Sequence, residues 1–300
     1  MKIFNIVKGG GSGNATIDFP SDIQVSGNIL QYLTTIPELD TANVTNMDYM
    51  FQGCAALTSI PELDTANVTS MDDMFKGCSA LTSIPELDTA NVTSMNGTFN
   101  GCTALTSIPE LDTANVTNME GMFFNCAALT SIPQLDTANV TSMNATFNGC
   151  TALTSIPELD TANVTNMNGT FRVCAALTLI PELDTANVTN MSLMFEGCAA
   201  LTSIPELDTA NVTSMDDMFK GCSALENLNI VNWTQQNIDL SYSSKLTSLS
   251  THNIISQAIG SETRTLILHA DAYAAWQASE YYSADNTDAT SKNITVEQAS

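Results

Sequence analysis

Leu57-Thr-Ser-Ile-Pro-Glu-Leu-Asp-Thr-Ala-Asn-Val-Thr-Ser-Met-Asp-Asp-Met-Phe-Lys-Gly-Cys-Ser-Ala80 decides the fold of this chain. The same 24-residue phrase occurs eight times between residues 33 and 224 with few changes. Cys54, Cys78, Cys102, Cys126, Cys150, Cys174, Cys198 and Cys222 mark the period and are all the cysteines present. A fixed period of this length means stacked coils, each unable to bury its apolar side chains alone. Such an architecture has a continuous core and no single catalytic cleft, which turns the expectation from enzyme to binding scaffold.

Within one period, Leu57-Thr-Ser-Ile60 predicts a short strand, ended at Pro61 because proline has no N–H to give to a neighbouring coil. Asp64-Thr-Ala-Asn67 has turn chemistry, since Asp and Asn side chains bond backbone two residues on. Val68, Met71, Met74 and Phe75 recur at three- and four-residue steps and predict a short helical turn, with Gly77 as its stop. The inward set is Leu57, Ile60, Leu63, Val68, Met71, Phe75 and Cys78, with equivalents in each coil. At a strand spacing of about 4.8 Å, eight coils form a rod roughly 38 Å long.

Three regions follow. Residues 1–32 are an attachment and cap segment, 33–224 the eight repeats, and 225–300 diverged repeats with a capping helix. In the first, Gly9-Gly-Gly-Ser-Gly13 reads as a flexible junction, and Ala15-Thr-Ile-Asp-Phe-Pro20 and Ile23-Gln-Val-Ser-Gly-Asn-Ile-Leu30 as strands. In the last, Leu225–Val231 and Thr265–Leu268 read as strands and Thr251–Ile259 as a helix stopped by Gly260. A final helix, N-capped by Asp271, carries Tyr273, Trp276 and Tyr281, and Ile294-Thr-Val296 adds an edge strand beyond a polar tail.

The chain has 44% hydrophobic residues, enough for a core, and a net charge of −24. Such a surface repels nucleic-acid phosphates and anionic lipid and suits cationic partners. No stretch of about 18 apolar residues is present to span a bilayer. The start, Met1 to Gly13, lacks the apolar run of a signal peptide, which favours a virion protein released by lysis.

The recurring Asn-Val-Thr-(Asn/Ser)-Met-x-x-(Met/Thr)-Phe-x-Gly-Cys-x-x-Leu resembles the repeat of BspA-like leucine-rich-repeat surface proteins, over residues 33–224. Leu246-Thr-Ser-Leu, Asn253-Ile-Ile and Thr265-Leu-Ile-Leu resemble the segments that end such arrays in phage and gut-bacterial proteins. The resemblance implies an α/β solenoid: a right-handed stack with short parallel strands, short helical turns and diverged caps. It implies adhesion or recognition rather than a reaction, and carries over no site residues.

Four rows of side chains follow from the period. The cysteines read as small buried residues, because parallel Cβ vectors give poor disulfide geometry and C-x2-C metal spacing is absent. Asp40 to Asp208 in steps of 24 read as turn caps. Glu38 to Glu206, broken by Gln134, read as a solvated face. Residues 33–224 hold 22 acids against three bases, yet no loop concentrates the 6–8 oxygens that Ca²⁺ takes, so no cofactor is expected and Ca²⁺ is the alternative. Asn43 to Asn211 form glycosylation sequons, but read as amides bonding along the stack. Neither His252 nor His269 lies in the repeats, and no serine sits in a nucleophile elbow, so catalytic residues are expected to be none.

Coils differ mainly after the Met, as at Asp48-Tyr49 or Ser192-Leu193, and after the Phe, as at Phe124-Asn125 or Arg172-Val173. One account is drift at solvent positions. The other is a recognition strip with Tyr49, Phe124, Arg172 and Leu193 as its anchors. The expected function is a non-enzymatic adhesion rod of a virion tail or fibre. It would bind a host cell-surface protein or glycan, and other virion proteins through residues 1–32. A structural spacer and a secreted bacterial surface adhesin are the alternatives, the latter placing it outside the cell or on its surface. Nucleic acid and membrane insertion are not expected.

Overall fold

The computed structural model describes residues 5–8, 15–18, 32–36, 38–234 and 236–299. Strands β1 (Asn5–Lys8) and β2 (Ala15–Asp18) pair antiparallel. The expected strand at Ile23–Leu30 and the glycine-rich junction lie outside the described residues.

The repeats form a stack of coils tied by backbone bonds at fixed offsets. On one side Thr82 N–H donates to Thr58 O and Thr106 N–H to Thr82 O, each bond reaching back one coil. At a second place Thr69 N–H donates to Thr45 O, and Thr93 N–H to Thr69 O. A third row runs the opposite way: Tyr49, Phe51 and Gly53 N–H donate to the carbonyls of Asp72, Met74 and Lys76 in the next coil. Parallel bridges link the coils from Asn46↔Ser70 to Asn190↔Ser214.

The inward set is buried as the pattern requires. Leu57, Val68, Met71, Phe75 and Cys78 and their equivalents make one continuous core, with Ile60 only partly covered. Eight phenylalanines, Phe51 to Phe219, stack in a file with centroids 5.5–6.2 Å apart. Burying a Phe contributes about 1.5–3 kcal/mol, so this file alone is a large part of what holds the coils together.

Two expectations about local structure are corrected. The Leu-Thr-Ser-Ile segment is not a strand in the first seven coils. Only β3 (Ser203–Asp208) is a strand, paired parallel with β4 (Asn227–Val231). It also runs through Pro205 rather than stopping there, with a register shift between Ile204 and Glu206 that absorbs the missing donor. The segment from Met47 to Cys54 is not helical. Its bonds are i to i+3, Met50 N–H to Met47 O and Gln52 N–H to Tyr49 O, because the alternate N–H groups are committed to the next coil. Gly77 is therefore a left-handed turn residue (φ 76°), not a helix stop.

Beyond the repeats, β5 (Ile238–Leu240), β6 (Arg264–Leu268) and β7 (Ile294–Gln298) form a parallel sheet in the order β5-β6-β7. Helix α1 (Ser248–Ser256) starts three residues before the expected Thr251 and is N-capped by Thr247. The last helix is two: α2 (Ala270–Gln277) and α3 (Tyr282–Ser291). His269, not Asp271, caps α2, because its Nδ1 accepts the Asp271 N–H at 3.2 Å. Trp233 is fully buried and carries the Arg264 guanidinium 4.9 Å from its ring centroid. Burial lowers the Arg264 pKa. Among the described residues no helix is long and apolar enough to cross a membrane.

Candidate interaction strip

Counting each coil from its leading Leu, the strip occupies positions 16, 17, 20 and 21. Position 16 is structural. Asp48 Oδ1 accepts both Ser70 Oγ (2.6 Å) and Asp72 N–H (2.8 Å) from the next coil. Asp72 does the same for Ser94 and Asn96, and Glu120 accepts Ser142 Oγ at 2.6 Å. Burial, partly opposed by these bonds, raises the Asp72 pKa. Where position 16 is Asn, the next coil carries Asn instead of Ser at position 14, and that Asn serves its own turn: Asn118 Oδ1 accepts Glu120 N–H and Asn166 Oδ1 accepts Asn168 N–H, each at 3.0 Å. The pairs Asp48/Ser70, Asp72/Ser94, Asn96/Asn118, Glu120/Ser142, Asn144/Asn166 and Asn168/Asn190 all obey this rule. The coupling is visible in the sequence as covariation between coils, and reading position 16 as free surface missed it.

Position 17 is left-handed in every coil. Gly97, Gly121 and Gly169 have φ of 56–61°, and so do the bulkier Tyr49 (62°) and Leu193 (61°). Position 21 is also left-handed, usually Gly, but Asn125 (56°) and Val173 (59°) take the same backbone. A β-branched residue with positive φ is a genuine outlier, and left-handed backbone costs a non-glycine residue about 1–2 kcal/mol.

The four residues expected as anchors lie on one face but do not form one cluster. Tyr49 is 53% exposed on the first coil, and Phe124 is half-buried on the fourth. Arg172 and Leu193 sit on neighbouring coils. A Cβ at Gly169 would lie 3.7 Å from Arg172 Cβ and 3.6 Å from Asn148 Nδ2, so positions 17 and 20 touch within and between coils. Arg172 Nε binds Glu196 Oε2 at 2.5 Å across the coil boundary. Beside it Val173 is 38% exposed, and Leu179 is 58% exposed where most coils have Ser. From sequence Val173 was named as a departure but not as an anchor, and Leu179 was not named; a leucine at a Ser position was the available signal.

The other rows have defined bonds. Asp64 Oδ1 accepts Ala66 N–H, and equivalents recur along the stack. Asn67 Nδ2 donates to Ala42 O in the preceding coil, a bond repeated as far as Asn211 to Ala186. Each cysteine from Cys78 to Cys222 is fully buried and donates its thiol to a Phe carbonyl one coil back, as Cys102 Sγ to Phe75 O (3.2 Å). Burial pushes the Cys102 and Cys222 thiols up to about 12. All eight cysteines are free thiols. Among the described residues no group of three or more His, Cys, Asp or Glu is placed to hold a metal ion. His252 Nδ1 meets the buried Asp285 at 2.6 Å, Trp276 Nε1 donates to the same carboxylate at 2.8 Å, and Tyr281 stacks on the imidazole. That imidazole is a tie between α1 and α3.

Residues 25–131, 94–201 and 171–245 each match the family described as "Mycoplasma protein of unknown function, DUF285". The chain belongs to the DUF285 family. Among solved structures, this DUF285 chain is similar to the T. pallidum leucine-rich-repeat protein TpLRR, with 19% identity over 74% of this chain and 87% of that one, at a TM-score of 0.39. It is also similar to a chain of the TLR13–ssRNA13 complex, with 12% identity over 88% of this chain and 43% of that one, at a TM-score of 0.30. No match was found among the curated proteins.

Proposed function

We propose that this DUF285 chain is a non-enzymatic binding rod, of the phage or gut-bacterial type, that projects from a virion tail or fibre and recognises a host surface through its outer strip. One observation carries the reading. Tyr49 and Leu193 hold left-handed backbone at a position where glycine builds the same coil without strain. Asp73, Ala145 and Asp217 share that backbone, but Tyr49 turns an aromatic ring outward at 53% exposure and Leu193 is a half-buried aliphatic side chain; backbone strain of this kind concentrates at functional sites. Arg172, beside Leu193, adds a cation to a surface otherwise dominated by carboxylates. An adhesin on a bacterial surface would use the same strip. A spacer role is the second reading, favoured by the near-identical inter-coil bonds along the stack.

Antibody labelling of purified virions and of intact bacteria tests the reading. Labelling on tails or fibres is the expected result. Labelling confined to bacterial surfaces would replace the virion rod by an adhesin.

A further inference from the structure

Each interior coil hands alternate N–H groups to the coil that follows. In the seventh coil Met191, Leu193, Phe195 and Gly197 donate to the carbonyls of Ser214, Asp216, Met218 and Lys220. The equivalent N–H groups of the eighth coil, on Met215, Asp217, Phe219 and Gly221, find no backbone acceptor among the described residues. The inter-coil bridges end at Asn190↔Ser214. The cause lies in the sequence. Leu246 follows Leu225 by 21 residues instead of 24, and Thr247 N–H to Glu226 O keeps the other side in register. The shortened coil does not carry its carbonyls to the donor row. Its strand β5 pairs with β6 alone and is an edge of that sheet.

A cavity of about 210 Å³ remains between the two. Met215, Met218 and Phe219 line one wall, and Asn237, Ile238 and Ile267 the other. Asp216, Asp217 and Asp239 stand exposed around it. The nearest base in sequence, Lys220, reaches Asp217 at 3.3 Å and leaves Asp216 and Asp239 without a cationic partner among the described residues.

We propose that this gap at the end of the repeat array is a peptide-binding slot, which takes an extended basic segment of a partner protein by strand addition. In the interior coils these donors meet the carbonyls of every second residue in the next coil, and an extended peptide laid along the free edge of β5 offers every second carbonyl to the same row. Its alternate side chains then fall into two sets. One set enters the apolar gap between Phe219 and Ile267, and the other faces the three aspartates. Lysine or arginine in the second set gives the charge complementarity that a chain of net charge −24 demands. A second copy of this chain carries the same negative charge and is the poorer occupant. The slot uses none of Tyr49, Phe124, Arg172 or Leu193, so it stands or falls apart from the outer strip.

The test is amide exchange on the whole chain, with and without acetyl-Val-Lys-Val-Lys-Val-amide. Without peptide, the amides of Met215, Asp217, Phe219 and Gly221 should exchange at least tenfold faster than those of Met191, Leu193, Phe195 and Gly197. The peptide should slow them, and the glutamate counterpart of the peptide should not. Ile267→Trp, which fills the gap from the partly exposed side of β6, should abolish the protection. Combined Asp216→Asn, Asp217→Asn and Asp239→Asn should weaken peptide binding at least fivefold, and decides the matter if Ile267→Trp does not fold. Amides already protected in the free chain, no protection at millimolar peptide, or equal binding of the glutamate peptide would each overturn the proposal. So would protection that appears on self-association, seen as a dimer by ultracentrifugation.

Discussion

Thr65 and Thr89 occupy the same position in adjacent coils of nearly identical sequence, yet replacing each by Val should move stability in opposite directions. Both are buried, at 2% and 1% exposure. Thr89 Oγ1 donates to Asp112 O at 2.8 Å, a bond repeated at Thr113, Thr137 and Thr161. Thr65 Oγ1 has no partner among the described residues. Thr→Val keeps shape and χ1 stiffness and changes only the hydroxyl. At Thr89 the change removes a hydrogen bond worth about 0.5–1.5 kcal/mol. At Thr65 it removes an unsatisfied buried hydroxyl, whose desolvation costs about 1–3 kcal/mol. Terms common to the two sites cancel, so the variants should differ by about 3 kcal/mol, Thr65→Val being the more stable. Guanidinium unfolding reads this as midpoints a few tenths of a molar apart at unchanged slope, roughly as expected from slopes of several kcal/mol/M. Equal shifts in the same direction would refute the argument that partner satisfaction, rather than burial, sets the worth of this threonine row.

Three further outcomes follow from the same geometry. Val173→Asn should stabilise the chain by about 1 kcal/mol, because Asn tolerates left-handed backbone and Asn125 already fills the equivalent site; a thermal melt lower than the parent's would contradict it. Asp72→Asn combined with Ser94→Asn, the pairing that other coils carry, should stabilise the fold at pH 7, since burial disfavours the ionised carboxylate and Asn at 94 can accept the Asn96 N–H as Asn118 and Asn166 do in their own turns. A raised folded pKa means that protonation favours the folded state, so this gain should shrink as pH falls through the folded pKa towards 3.8, as unfolding measured across that range will show. Interior thiols such as Cys102, fully buried and raised to about 12, should resist a thiol reagent at pH 8 in the native protein and react promptly in guanidinium; fast native labelling would contradict their burial.

The period, the inward set and the Asp, Asn and Cys rows were legible because each follows from one repeated register. The turn at Met71–Gly77 was not, because Met71, Met74 and Phe75 sit at spacings that suit a helix as well as paired turns. The deciding signal was Gly97, Gly121 and Gly169 at one fixed position, which marks positive φ. Proline at position 5 suggested a strand end, but a register shift lets β3 pass Pro205. Helix α3 was hidden for another reason. Its sequence is polar, and it is held by long-range partners: Asp285 binds His252 and Trp276, and Lys292, just beyond it, donates to Ile255 and Ser256 carbonyls. In the strip, the anchors Tyr49, Phe124, Arg172 and Leu193 were found as departures from the repeat, whereas the bonding role of position 16 needed the neighbouring coil.

The central claim is that the departures at the strip recognise a surface. Its most direct test replaces them with residues that other coils carry at the same positions: Tyr49→Gly, Phe124→Asn, Arg172→Asn and Leu193→Gly together. Relief of left-handed strain at two sites means that the fold should survive this change. Fluorescently labelled parent protein should bind host cells, and the four-site variant should lose at least tenfold in affinity while its circular dichroism is unchanged. Undiminished binding by the folded variant would contradict the claim and leave the strip as solvent-side drift.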